Sequence, residues 1–249
     1  MSRQRLDEHR AIWKEKPVLR AIYTDFYQRI IAASRPGRSL EIGGGSGNLK
    51  EFSAEVVSTD IVYTSWLDAT ADAQALPFVN SSFANLVAVD VLHHIERPRR
   101  FFQEAVRVLQ PEGRLILLEP AITPVSRFFY TYFHPEPVEM DADPLGDDPH
   151  DPSRSAFDAN QAIPTLLFGR HRERFAEAFP MLKVVLFEQV SLLAYPLSGG
   201  FRRWGIVPAA TVGRLLRLER MLAPKLGWLM AFRLFVVVEK RRELVDGER

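Results

Sequence analysis

The sequence predicts an α/β fold, a doubly wound and mostly parallel sheet, on three observations. Short apolar runs alternate with helical patterns at short spacing between residues 39 and 119, the pattern of strands joined by crossover helices. The run "NLVAVD", 85–90, is apolar on both faces, as a central parallel strand must be. "LEIGGGSGNLK", 40–50, places four glycines in five positions directly after the first apolar run. That is the strand-to-helix turn beyond which such sheets bind ligands.

The elements follow in order. Residues 4–33 read as helical, because Ile12, Leu19, Ile22, Phe26 and Ile30 recur at helical spacing, and Pro17 divides the stretch into two helices. Ser39 to Ile42 is a short strand. "GNLKEFSA", 47–54, opens a helix, and "EVVSTD", 55–60, is the next strand. In "RPRRFFQEAVRVLQPEG", 97–113, Pro98 suits a first helical turn and Phe101, Phe102, Ala105, Val106 and Leu109 form one apolar face. Gly113 is read as the end of that helix, and "RLILLE", 114–119, as a strand. Residues 120–164 hold many prolines and acids without a period, which reads as a functional lid. A helix near 165–178, a strand at 182–193, a basic apolar helical region at about 207–223 and a last strand at 231–240 complete the chain. The expected organisation is an N-terminal helical extension, 1–36, and one domain, 37–249, with a lid insertion at about 120–164.

Apolar residues make up 47% of the 249 and charged residues 25%, the balance of an ordinary globular protein. A formal net charge of +1 provides no global field for nucleic acid, which is not expected as a partner. The absence of cysteine removes disulfides, thiolate nucleophiles and cysteine-based metal sites. The N-terminus carries charges throughout and lacks a signal-like apolar segment. No apolar run approaches the roughly 20 residues that span a bilayer. The expectation is a cytoplasmic chain of enzyme size.

The glycine loop admits three ligand readings. A dinucleotide fingerprint fails, because counting from Gly43 its last glycine position holds Asn48. A phosphate loop fails for lack of a terminal Gly-Lys-Ser/Thr. G-x-G-x-G remains, with Gly43, Gly45 and Gly47 around Gly44 and Glu41 before them; a ligand-free turn is the alternative. Asp60 ends the next strand near the interval expected of an acid that binds ribose hydroxyls. In "ADAQALPF", 71–78, Asp72 can accept from an adenine amino group while the Ala73 backbone meets the ring.

"LEIGGGSGNLK", "VVSTD", "DAQALPF", "SFANLVAVDVLHHI" and "EAVRVLQPEGRLILLEP" stand in the order found in class I S-adenosylmethionine-dependent methyltransferases. Residues 38–120 resemble that family, most closely its small-molecule branch with an "LPF" segment and a "VLHHI" strand end. The resemblance implies a Rossmann-like seven-stranded sheet with an antiparallel last strand, and S-adenosylmethionine as cofactor. It implies Glu41 with Gly43, Gly44, Gly45 and Gly47 at the methionine end. Asp60 and Ile61 would lie at the ribose, Asp72 and Ala73 at the adenine, and Asp90 among the cofactor contacts. Two departures stand out. The branch commonly has Phe-Asp before the fourth strand, where this chain has Phe83, Ala84 and Asn85. The segment between Asp60 and Asp72 is short, which reduces one expected helix to a turn.

A sulfonium methyl group is already electrophilic, so the protein chiefly has to align the acceptor. A base is needed only where the acceptor has a proton to lose. His93 and His94 follow the fourth strand and are candidate bases; packing at the strand end by one and solvent exposure of the other is the alternative. Tyr130, Tyr132, Phe133 and His134 are candidate walls of an acceptor pocket, or packing between lid and sheet. Asp141, Asp143, Asp147, Asp148, His150 and Asp151 have the types but not the spacing of metal ligands, so no metal is expected. Residues 196–235 mix Arg and Lys with Trp, Leu and Phe, which suits either an ordinary packed helix or a membrane-surface segment serving a lipid or lipid-linked acceptor. The expected activity is methyl transfer to a small organic acceptor. A methyltransferase-like binding module without turnover and a nicotinamide-dependent oxidoreductase are the alternatives.

Overall fold

A computed structural model describes residues 2–146 and 150–242. Seven strands form one sheet in the order β3-β2-β1-β4-β5-β7-β6. They are β1 (Ser39–Ile42), β2 (Val56–Asp60), β3 (Ala69–Thr70), β4 (Phe83–Val89), β5 (Leu109–Pro120), β6 (Leu182–Val190) and β7 (Arg233–Lys240). Strands β1 to β5 pair in parallel, and β7 runs antiparallel to both β5 and β6. The expected doubly wound sheet with an antiparallel last strand is the observed one. The strand order reverses between β1 and β4, and a crevice at such a switch point is where open α/β sheets bind ligands.

Alternating side chains of the central strands feed two cores. Leu86, Ala88, Leu115 and Leu117 face one side, joined by Phe101, Phe102 and Ala105 of α3 (Pro98–Val108) and by Phe168 and Phe175. Val87, Ile116 and Leu118 face the other. There they meet Ile22, Phe26 and Ile30 of α2 (Pro17–Ala33) and Val212 and Leu216 of α8 (Ala209–Met230). Helix α1 (Ser2–Glu15) adds Trp13, whose indole donates to Glu51 Oε1 at 2.9 Å. Asn85, in the stretch that departs from the branch's Phe-Asp, is fully buried and satisfied. Its amide donates to Arg35 O at 2.8 Å and Ser39 Oγ at 3.1 Å, and its Oδ1 accepts from Arg35 N at 2.8 Å.

Three expectations are corrected. "GNLKEFSA" makes only a 3₁₀ turn at Leu49–Glu51, because residues 48–55 must carry the chain back to the amino end of the sheet. A 3₁₀ turn covers more length per residue than an α-helix (about 2.0 Å against 1.5 Å). Gly113 does not end α3, which stops at Val108 where Ser81 and Ser82 backbone N–H groups take its last carbonyls and Leu109 pairs with Phe83. Gly113 instead lies within β5, where an added Cβ would fall 2.8 Å from Gln110 O. Residues 120–164 contain a regular helix, α4 (Pro124–Phe133), started by a Thr123–Ser126 capping box.

The remaining helices are short: α5 (Ile163–Thr165), continued by a π turn at Leu166–Arg170, α6 (Arg172–Ala178) and α7 (Ala194–Ser198). The segment between Asp60 and Asp72 holds turns and the two-residue β3, as its shortness predicts.

Candidate functional site

A cavity of about 390 Å³ opens over the carboxyl ends of β1, β2 and β4, within the size range of small-molecule sites. The glycine loop forms its floor. An added Cβ on Gly44 would fall 2.2 Å from Ser58 Oγ and 2.9 Å from Glu41 Oε2, so only glycine lets the loop lie flat on β2. Gly45, at φ +50, would direct a Cβ into space with no atom nearer than 3.8 Å, which keeps that stretch of floor clear. Gly43 also lines the cavity; Gly47 does not, and turns against Trp66 instead.

Glu41 is buried beneath the loop and accepts from Ser58 Oγ. Burial raises its carboxyl to about 7, against the Ser58 hydrogen bond. Asp60, also buried, accepts from Gly45 N at 3.0 Å and Val62 N at 2.8 Å, which ties the end of β2 to the loop. Burial raises its pKa, and those backbone donors oppose the shift. Ile61, Asp72 and Ala73 line the same end, with Asp72 Oδ1 held by Gln74 N at 2.8 Å. The cradle a Cβ would fill, the acid at the end of β2 and the acid 12 positions on fit an adenosyl group, the residues 60 and 72 being those the sequence nominates.

The opposite wall is more strongly charged. Asp90 follows β4 in a left-handed conformation, φ 57, which is uncommon for a non-glycine residue. Its carboxylate accepts from Tyr23 Oη at 3.2 Å and pairs with Arg233 of β7. Arg233 is itself buried, with its guanidinium 4.1 Å over Tyr195. Burial raises the Asp90 pKa and Arg233 opposes it.

His93 is 3% exposed, with Nδ1 at 2.7 Å from Glu119 Oε2 and Nε2 at 3.7 Å from Glu136 Oε2. Burial disfavours its charge, but the two carboxylates outweigh burial and raise its pKa to about 9. It is therefore a cation at neutral pH, packed at the strand end rather than poised as a base. His94 lines the cavity, and burial together with the His93 charge lowers its pKa to about 4. Its Nδ1 lies 3.3 Å from Asp158 O, the contact expected of an N–H donor, which leaves the lone pair on Nε2.

Tyr130 and His134 line the cavity as expected, although the Tyr130 hydroxyl is spent on Phe232 O at 2.9 Å. Tyr132 is not part of the wall: it lies on the outer face of α4, 69% exposed, against Phe128. The chain returns to the strand ends at Asn160, whose N donates to His93 O at 2.9 Å.

Of the acidic loop, Asp143 pairs with Arg174 at 3.0 Å and His150 with Glu96 at 2.7 Å, while Asp147 and Asp148 lie outside the described residues. Sequence reasoning missed Glu119, Glu136, Gln161, Tyr195 and Arg233. Arg233 carried a signal, a charge at the head of a strand whose next five residues are apolar; Glu136 carried none beyond its place between two prolines.

Residues 40–117 match the family model described as a methyltransferase domain. The chain is 30% identical over 132 residues to the ubiquinone/menaquinone biosynthesis C-methyltransferase UbiE of Vibrio cholerae, across 41% of this chain and 50% of that protein. It is 42% identical over 50 residues to the protein of the same name from Roseobacter denitrificans, 20% of each. The chain thus spans half or less of the curated relatives it matches. Among solved structures, a SAM-dependent methyltransferase of Thermotoga maritima superposes with a TM-score of 0.57 at 15% identity, over 96% of this chain and 98% of that one. A chain from the complex of the Haloferax volcanii Trm112 methyltransferase activator with a putative methyltransferase gives 0.55 at 14% identity, over 98% and 100%. These likenesses establish the fold, and S-adenosylmethionine is the cofactor that goes with the domain matched by residues 40–117.

Proposed function

We propose that this chain, a class I methyltransferase by its central domain and its fold, transfers a methyl group from S-adenosylmethionine to a small organic acceptor. The observation that carries the reading is the two-sided cavity. Glycine loop, Asp60, Asp72 and Ala73 line one side, and His93, His94, Glu136 and Arg233 line the other. When bound, the cofactor supplies an electrophilic methyl group. The chain supplies position: Asp60 and Asp72 accept hydrogen bonds from the adenosyl end, and Gly45 leaves room for the methionine end. His94 Nε2 and the Glu136 carboxylate accept from the acceptor, and the lid residues and α1 keep water out. Orientation of this kind can account for several kcal/mol of a barrier.

Calorimetric titration with S-adenosylmethionine, S-adenosylhomocysteine and NAD tests the reading. Both adenosyl ligands should bind and NAD should not. Asp60→Ala should weaken the adenosyl ligands at least tenfold. Binding of NAD alone, or of none of the three, would discard it.

A narrower reading of the acceptor has its own support. Phe133 and Trp204 line the cavity mouth and remain 59% and 47% exposed, beside exposed Phe128 and Ile206. An apolar rim at the entrance suits an acceptor drawn from lipid, and the resembling UbiE proteins are named for quinone biosynthesis.

A further inference from the structure

We infer that His93, His94 and Glu136 form a binding site for one divalent first-row transition-metal ion on the acceptor side of the cavity. One ligand atom from each residue lies within 4.8 Å of the others. His93 Nε2 and Glu136 Oε2 are 3.7 Å apart, beyond hydrogen-bond length. At metal–ligand bonds of about 2.0–2.2 Å, donors on a tetrahedral ion sit about 3.4 Å apart. The gap is therefore near the size an ion needs, and the His94 ligand atom lies within 4.8 Å of both.

Two features favour an ion over a bare cluster, and a third fixes the carboxylate in place. Each histidine has its Nδ1 engaged by an oxygen, His93 by the fully buried Glu119 at 2.7 Å and His94 by Asp158 O at 3.3 Å. That is the carboxylate or carbonyl backing that fixes a ligating imidazole with its other nitrogen forward; at His93 the ion takes the place of the Nε2 proton, so uptake releases a proton to solvent. Gln161, 2% exposed and on the same cavity wall, donates its amide to Glu136 Oε2. Its Oε1 is buried without a partner, an arrangement that normally signals a missing ligand or water. The carboxylate is also held from its other side, with Arg5 3.7 Å from Glu136 Oε1.

Two imidazoles and one carboxylate suit zinc, cobalt, nickel or iron(II) better than magnesium or calcium, which take oxygen ligands. Three protein ligands leave coordination positions open toward the cavity, where an acceptor oxygen could bind the ion in place of its hydrogen bonds to His94 and Glu136. The inference does not depend on methyl transfer, because it rests on donor geometry alone.

The test is calorimetric titration of tag-free chain with Zn²⁺, and in parallel with Co²⁺ followed by visible absorption; Mg²⁺ is the control. One Zn²⁺ per chain is expected, at least tenfold tighter than Mg²⁺. His94→Gln and Glu136→Gln should each weaken it tenfold or more, while His150→Ala, at the exposed His150–Glu96 pair, should not. Melting temperature and adenosyl-ligand binding, measured on the same variants, establish that each is folded. Zn²⁺ uptake that is absent, or that persists undiminished in folded His94→Gln and Glu136→Gln, would overturn the site. Intact adenosyl binding alongside that result would leave the methyl-transfer reading standing.

Discussion

Glu41 shows how a single residue couples the floor of the cavity to pH. It sits 4% exposed under Gly44 and is raised to about 7, burial outweighing the Ser58 hydrogen bond. In the unfolded chain a glutamate titrates near 4.3. The folded state therefore holds a proton that the unfolded state releases between those two values. Its contribution is fully present below about pH 4, falls as pH rises, and is gone above the folded value. The shift corresponds to about 3 kcal/mol. Glu41→Gln keeps the shape and removes the ionisation, so the variant should gain on the native chain by about that amount between pH 5 and pH 8. Urea unfolding of both proteins at the two pH values measures it, and an unchanged difference would mean that Glu41 ionises freely. Glu41, Asp60 and Asp72 were legible in the sequence because loop and strand end fix where they stand. Arg233 and Glu119 were not, because their meaning comes from the partners, Asp90 and His93, that the fold brings to them.

At the scale of elements, buried runs read most clearly. β1 is buried along its whole length and its bounds are those the apolar run predicts, and the division of residues 4–33 at Pro17 is the observed break between α1 and α2. Helix α4 was not legible because its exposed positions are aromatic: Phe128 and Tyr132 on the outer face and half-exposed Phe133 at the cavity mouth mask the period. What starts that helix is local and strong. Thr123 Oγ1 accepts from Ser126 N, Ser126 Oγ accepts from Thr123 N at 2.8 Å, and the Thr123 hydroxyl also donates to Ala231 O at 3.1 Å. Thr123→Ala removes the cap and one buried tie to the entry of β7. The expected cost is about 1–2 kcal/mol, read by thermal or urea unfolding, and Thr123→Ser should recover most of it. Because α4 carries Phe129, Tyr130 and Phe133 to the cavity, the same variant should weaken acceptor binding more than adenosyl binding. An equal loss of both would assign the cap a global role instead.

The whole molecule is lopsided. Its sheet and both cores are conventional, but one end gathers the cavity mouth, the outer face of α4 and the segment 202–206. Exposed Phe128, Tyr132, Phe133, Trp204 and Ile206 lie there with exposed Arg202 and Arg203. Helix α8 adds exposed Leu218, Met221 and Trp228. No helix of the described residues is long and apolar enough to cross a membrane. Aromatic side chains beside arginines favour a surface that is both apolar and anionic. On the narrower reading of the acceptor, the chain should co-sediment with vesicles containing phosphatidylserine and much less with neutral ones. Binding should weaken as salt rises, because each exposed arginine near an anionic surface contributes about 1 kcal/mol that screening removes. Trp204→Ser with Ile206→Ser should lower the sedimented fraction at constant salt while leaving adenosyl binding intact, since neither residue touches the glycine loop. Failure to sediment with anionic vesicles would make the apolar rim a feature of the pocket alone. The acceptor would then be a water-soluble molecule that enters past Phe133 and Trp204.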